Sequence, residues 1–374
     1  MKEYKSILLV RLRAVGEVVM TLPVLDIVRR NYPNAFLAML VESPCEEIFE
    51  ADSRADKVFV FNKPYLRSLP YHKKMKAFWE FVFSLRQQRF DLAVDLHNVS
   101  RSQWLTFLSG ARERIGMRTR ALTYHLHTTT MEALRDTRQH NIARYLQILR
   151  NMGMNVDEYT YEMKISPDAL QWAGQWLTEQ TRNRAVRVVL HPGAAHVHKC
   201  WPVEQFARFG DLLAERHQAD IIITCGPGEM SLGEQVQKNM RAESRLVADV
   251  GLQQLAALLS KCDLLVSNDT GPTHISSVVG TPTIAVIGPT NPYVSGPATT
   301  CSRIVWAERY CSPCYRDMFT CPIRKCFMMI EPEQVLEIAN KILQEGRPIQ
   351  HESAVPGIHP RKDLPKRAYV ASRV

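Results

Sequence analysis

The stretch Leu264-Leu265-Val266-Ser267-Asn268-Asp269-Thr270-Gly271-Pro272-Thr273-His274 sets the architecture of the chain. Residues 264–267 form a short apolar run that reads as a buried strand, and a helix opens at Gly271. A strand-to-helix junction leaves backbone N–H groups without helical partners at the positive end of the helix dipole, a setting that suits a phosphate. Gly271 lets the backbone approach such a group closely, and Thr270 adds a hydroxyl donor. The plainer alternative is a capped helix, with Asp269 or Thr270 as the cap and His274 packed in the core.

Working outward, the same alternation fills the second half of the chain. Strands are expected over 186–190, 220–224, 264–267 and 283–287, and helices over 203–216, 229–239 and 252–260. The first half repeats it, with strands over 6–10, 36–41, 57–61 and 91–96 and helices over 17–31, 78–88 and 141–152. Ser166-Pro167-Asp168 is a good helix start, and the polar stretch 180–184 follows that helix. This divides the chain into residues 1–165, a linking helix and joint over 166–184, residues 185–345, and a basic tail, 346–374, that is either loose or in part crosses back to the first domain. Repeated strand–helix units imply parallel sheets with helices on both faces. The expected fold is α/β, with two Rossmann-like doubly wound domains facing a central cleft. Ligands of such sheets sit at the carboxyl ends of the strands.

Three more junctions carry candidate chemistry. His191-Pro192-Gly193 follows a strand, and Lys199 beyond it is a cation placed to meet a diphosphate. A lone loop lysine is more commonly just solvated. Cys225-Gly226-Pro227-Gly228-Glu229 follows another strand, and Glu229 can accept from ribose hydroxyls. In the first half, Gly16-Glu17 falls at the first strand-to-helix turn; Glu17 is a candidate general base, or a carboxylate that merely complements the dipole.

Composition sets bounds on function. The 374 residues are 45% hydrophobic and 23% charged, enough apolar material for two cores. The formal net charge of +9 favours phosphorylated or otherwise anionic partners. The apolar run 7–10 is too short for a signal peptide, and no stretch reaches the roughly 18 apolar residues of a membrane span. A cytoplasmic protein, at most peripheral to a membrane, is expected. Nine cysteines suit a reducing compartment. Four of them, Cys311, Cys314, Cys321 and Cys326, form a C-x2-C-x6-C-x4-C set that can bind structural zinc or an iron–sulfur cluster, or simply pack as buried thiols.

Taken in order, these segments resemble glycosyltransferase family nine, whose members include the ADP-heptose:lipopolysaccharide heptosyltransferases. The resemblance spans about residues 5–343. It rests on the strand–Gly–acid–helix turn at Gly16-Glu17, on Phe90 to Asn98, on Arg101-Ser102, Arg114-Ile115-Gly116 and His140, and on the His-Pro-Gly loop with Lys199-Cys200-Trp201-Pro202. Asn268 to His274 and Gly280-Thr281-Pro282-Thr283 complete it. The resemblance implies the GT-B fold, with the acceptor mostly on the first domain and the nucleotide-sugar donor on the second. It implies that Asp269, Thr270, Gly271 and His274 line the donor diphosphate and sugar, that Lys199 holds the phosphates, and that Glu229 holds the ribose. It further implies an inverting heptose transfer to the lipopolysaccharide inner core with no catalytic cofactor, and no nucleic acid among the partners. Arg11, Arg13, Arg101 and Arg120 are the acceptor candidates, and basic groups suit an anionic inner-membrane surface. The family usually carries Asp where this chain has Glu17. A family-nine enzyme with another sugar nucleotide or acceptor, and a non-catalytic nucleotide-sugar binding protein, are the competing readings.

Overall fold

The computed structural model describes residues 2–119, 122–132, 139–182, 184–307, 312–314, 321 and 324–346. The chain divides into two compact units, Met1–Lys164 and Ile165–Val374. The helix Pro167–Gln180 packs on the helix Leu252–Ser260 within the second unit. The tail beyond residue 346 lies outside the described residues.

The first unit is built on β1 (Ser6–Val10), β2 (Phe36–Glu42), β3 (Lys57–Phe61), β4 (Leu92–Asp95), β5 (Glu113–Met117) and β6 (Thr129–Met131). All pairings are parallel, in the order β3-β2-β1-β4-β5-β6. The second unit holds β7 (Arg187–His191), β8 (Asp220–Thr224), β9 (Ser244–Val247), β10 (Leu264–Asn268), β11 (Thr283–Ile287) and β12 (Ser302–Trp306). Its order, β12-β11-β10-β7-β8-β9, repeats the first sheet's plan. Each sheet is a doubly wound Rossmann sheet. Its strand order reverses between its first and fourth strands, β1 and β4 in one unit and β7 and β10 in the other. Strands β1, β8, β10 and β11 are buried along their whole length, which is why they read as unbroken apolar runs.

Local chemistry explains where the structure departs from expectation. The helix expected over 17–31 is two helices, Val15–Val19 and Leu22–Asn31. Pro23 sits in the first turn of the second, where it lacks the N–H that would continue the earlier ladder. The Thr21 hydroxyl at the break donates to the Val18 carbonyl at 2.6 Å. The helix expected over 78–88 begins earlier, at Tyr71 after Pro70, and ends at Arg86. Strands β5, β6, β9 and β12 were not expected. Three of them are edge strands, and β5, β9 and β12 each carry a charged residue within their first two positions, which leaves only short apolar runs.

Candidate active site

In the second unit, the loops leaving β7 and β10 meet at the point of reversal, and Asn268 clips them together. Its buried amide donates to the Pro192 carbonyl at 2.7 Å and to the Gly193 carbonyl at 3.3 Å. Its Oδ1 accepts from the Trp201 backbone N–H at 2.8 Å. The Trp201 indole is 1% exposed, donates to the Ile330 carbonyl and packs edge-on against Phe206. A rigid platform thus fixes the segment that carries Lys199. Lys199 Nζ lies 2.8 Å from Asp269 Oδ2, and the Thr290 hydroxyl donates to the same oxygen at 2.8 Å. Next to this pair the helix Gly271–Val278 begins, with Thr270 as its N-cap residue. The Thr270 side chain makes no capping hydrogen bond. Thr273 instead bonds the Ser267 hydroxyl and the Asn268 carbonyl inside the core, and His274 is buried.

Glu229 belongs to the same rim. It is the N-cap residue of the helix Met230–Asn239; its carboxylate accepts from the Gly226 N–H at 2.9 Å and lies 3.8 Å from His191 Nε2. A Cβ on Gly193 would fall 1.9 Å from Glu229 Oε2, so glycine is what lets the carboxylate lie against the β7 loop. His191 is buried with Nδ1 3.0 Å from the Thr224 hydroxyl, and burial pulls its imidazole down to about 4.

That shift has a stability consequence. The unfolded chain's His191 takes a proton near its ordinary 6.5, whereas the folded one resists until about 4. Stability is therefore lost as pH falls through this window, by at most about 1.4 kcal/mol per pH unit from this one group. Thermal unfolding followed from pH 7 to pH 4.5 is expected to show a shallower fall for His191→Asn than for the parent chain. Equal slopes would remove His191 as a cause.

In the first unit, Glu17 sits beside the end of β1, and several donors hold its carboxylate. Arg11 pairs with Oε2 at 2.9 Å, Asn141 donates to Oε1 at 2.9 Å and to Oε2 at 3.2 Å, and the Tyr145 hydroxyl donates to Oε2 at 3.1 Å. Burial raises the Tyr145 phenol, which keeps it a donor. The turn into the helix is strained: Ala14 holds φ at 65°, where a Cβ is costly. Of the other basic candidates, Arg11 is buried, Arg13 is exposed, and Arg101 pairs with Glu42 at 2.7 Å. His97, just past β4, is pushed down to about 3 by burial and by Arg11, Arg13 and Arg101, so it is neutral at physiological pH. The turn that carries it is fixed by Asp95, which accepts from the His97 and Asn98 N–H groups.

The structure thus brings Lys199, Asp269 and Thr270 together, places Glu229 on the neighbouring loop, and anchors Glu17 in the other unit. Arg120 and Cys311 lie outside the described residues. Cys314, Cys321 and Cys326 are each part-buried, and among the described residues no three His, Cys, Asp or Glu side chains converge as metal ligands. Sequence reasoning passed over Thr290, Asn141, Tyr145 and the clip made by Asn268. Thr290 had a signal: Gly288-Pro289-Thr290 follows β11 as Asp269 follows β10.

Comparison with known proteins supplies the family. A sequence profile described as "Glycosyltransferase family 9 (heptosyltransferase)" matches residues 78–322, more than half of the chain. The lipopolysaccharide core heptosyltransferase OpsX of Haemophilus influenzae is 25% identical over 310 residues, covering 80% of this chain and 84% of the relative. Among solved structures, a family 9 glycosyl transferase from Veillonella parvula superposes with a TM-score of 0.78 at 23% identity, covering 92% of this chain and 98% of that one. E. coli heptosyltransferase WaaC with ADP superposes with a TM-score of 0.72 at 20% identity, covering 90% and 99%. With its two Rossmann sheets and its profile match, the chain belongs to glycosyltransferase family 9, the heptosyltransferases.

Proposed function

We propose that this chain is an inverting transferase that moves a heptose-type sugar from ADP-heptose to the lipopolysaccharide inner core, working in the cytoplasm at the inner-membrane surface. The observation that carries the reading is the Lys199–Asp269–Thr290 cluster at the start of the helix Gly271–Val278, at the reversal point of the second sheet. The names of the relatives, heptosyltransferases that act on lipopolysaccharide or are solved with ADP, supply the donor and acceptor classes.

In this reading the second unit holds the donor. Lys199 and the N–H groups that open the helix at Gly271 face the diphosphate, Thr270 donates to it, and His274 lines the floor. Asp269 keeps Lys199 in place and accepts from a sugar hydroxyl; Glu229 accepts from the ribose. As the anomeric C–O bond to the diphosphate lengthens, the sugar becomes oxocarbenium-like and negative charge grows on the leaving phosphate. Fixed positive groups aimed at that charge are often the largest catalytic term. The acceptor oxygen attacks the opposite face, its proton goes to Glu17, and ADP leaves. Arg13 and Arg101 meet anionic groups of the acceptor, and Arg11 holds Glu17. The cysteine set serves the fold rather than the transfer; metal analysis of the purified protein reads whether zinc or iron accompanies it.

Gly193→Ala tests the ribose contact. The new Cβ forces the flexible Glu229 side chain away from its place. Losing a charge-assisted hydrogen bond is expected to weaken ADP binding by roughly 10- to 100-fold with the fold intact. Unchanged affinity would detach Glu229 from the nucleotide. The activity itself is tested by incubating the chain with ADP-heptose and a truncated core acceptor. The acceptor is expected to gain the mass of one heptose while ADP is released. A gain only with another sugar nucleotide would move the specificity, and ADP binding without transfer would make this a binding protein.

A further inference from the structure

The first unit carries an aromatic, basic face that none of the proposed chemistry uses. The helices Tyr71–Arg86 and Ser100–Leu108 touch each other and bury Leu85 and Leu105 in one core. Their outer sides leave large rings in water: Trp79 is 53% exposed, Phe83 62%, Trp104 48% and Phe107 42%. Trp79 and Phe83 stand one turn apart, and Trp104 meets Phe107 edge-on with ring centroids at 6.1 Å. Soluble surfaces rarely gather rings in this way unless they bind something.

Charge identifies the occupant. Residues 63–89 contain seven Lys or Arg and a single acidic residue, Glu80. Lys73, Lys74 and Lys76 are exposed on the first turns of the ring-bearing helix. Arg114 lies over the Phe107 ring at 5.5 Å. Exposed Trp and Phe beside cations on a helix face match the boundary between anionic headgroups and acyl chains. A second copy is a poor fit, because a two-fold contact sets like charges against like.

We infer that the helices Tyr71–Arg86 and Ser100–Leu108 dock on an anionic lipid bilayer, with Trp79, Phe83, Trp104 and Phe107 entering the interface and Lys73 and Lys76 meeting the headgroups. The assignment rests on the membrane-surface part of the reading above and adds the residues that make the contact.

The test is flotation of the full chain with vesicles of phosphatidylcholine alone or with added phosphatidylglycerol. It uses neither donor nor acceptor, so its failure leaves the transfer assay untouched. The parent chain is expected to float with the anionic vesicles only. Trp79→Ser/Phe83→Ser and, separately, Lys73→Gln/Lys76→Gln are each expected to cut binding at least about tenfold. All of the substituted side chains are exposed and none belongs to the proposed transfer site, so both variants keep the parent's thermal unfolding and its rate on a soluble acceptor. Flotation that is absent in the parent chain, or unchanged in both variants, overturns the inference. So does a dimer on size-exclusion chromatography that Trp79→Ser/Phe83→Ser turns into monomer, which would make the face a contact between copies.

Discussion

Lys199→Ala is expected to lower kcat by roughly 10²- to 10³-fold, the usual loss on removing one fixed group that faces developing charge. The reason goes beyond a missing cation. Lys199 neutralises Asp269, whose side chain is only 9% exposed. Without the lysine, a nearly buried carboxylate is left beside the proposed diphosphate site, and the Thr290 hydroxyl only partly offsets its charge. Adding Asp269→Asn removes that charge yet keeps an oxygen for the sugar hydroxyl. The double variant is therefore expected to recover part of the loss, by up to about tenfold, instead of showing the product of the two single effects. A strictly multiplicative result would mean that the two residues act independently, and the pair geometry would then carry no meaning for transfer.

The second large effect is at Glu17. Glu17→Gln keeps the side chain's length and an oxygen for Asn141, Tyr145 and Arg11, and it removes the proton acceptor. General base catalysis typically contributes about 10²- to 10⁴-fold, so kcat should fall within that range. ADP affinity should not change, because Glu17 lies in the first unit and the groups proposed to hold the nucleotide belong to the second. Arg11 is buried and loses its ion-pair partner, so a stability cost of about 1–3 kcal/mol is expected alongside, read as a lower Tm. Glu17→Asp tests reach: a misplacement of about 1 Å can cost roughly 10²-fold. If Glu17→Gln turns over at the parent rate, Glu17 serves only to hold Arg11, and the base lies elsewhere.

The parts of this protein that were legible in the sequence are those fixed by local physics. Strands buried on both faces give apolar runs, and β1, β8, β10 and β11 were readable for that reason. Strand-to-helix junctions expose N–H groups, which is why Gly16-Glu17, His191 to Lys199, Glu229 and Asp269 to His274 stand out in the sequence alone. Folding then brings the junctions after β7 and β10 side by side, because the two strands pair although they are far apart in the sequence. What was not legible is pairing at a distance. Nothing local tells Asn141 and Tyr145 that they will hold Glu17, or Lys199 that it will close on Asp269 rather than extend into solvent. Edge strands β6, β9 and β12 are harder to read: β6 is short and largely exposed, β9 is buried only at its two ends, and β12 opens on Ser302-Arg303 before three apolar residues.

The proposed transfer requires the second unit to cradle a diphosphate. Calorimetric binding of ADP and of adenosine, to the parent chain and to Lys199→Ala, tests this most directly. The parent is expected to bind ADP at least about 100-fold more tightly than adenosine, since charge-assisted contacts to phosphate are the strong ones. Lys199→Ala should lose most of that advantage and bind adenosine as before. Equal affinity for ADP and adenosine in the parent chain, or an undiminished preference for ADP in the variant, would contradict it.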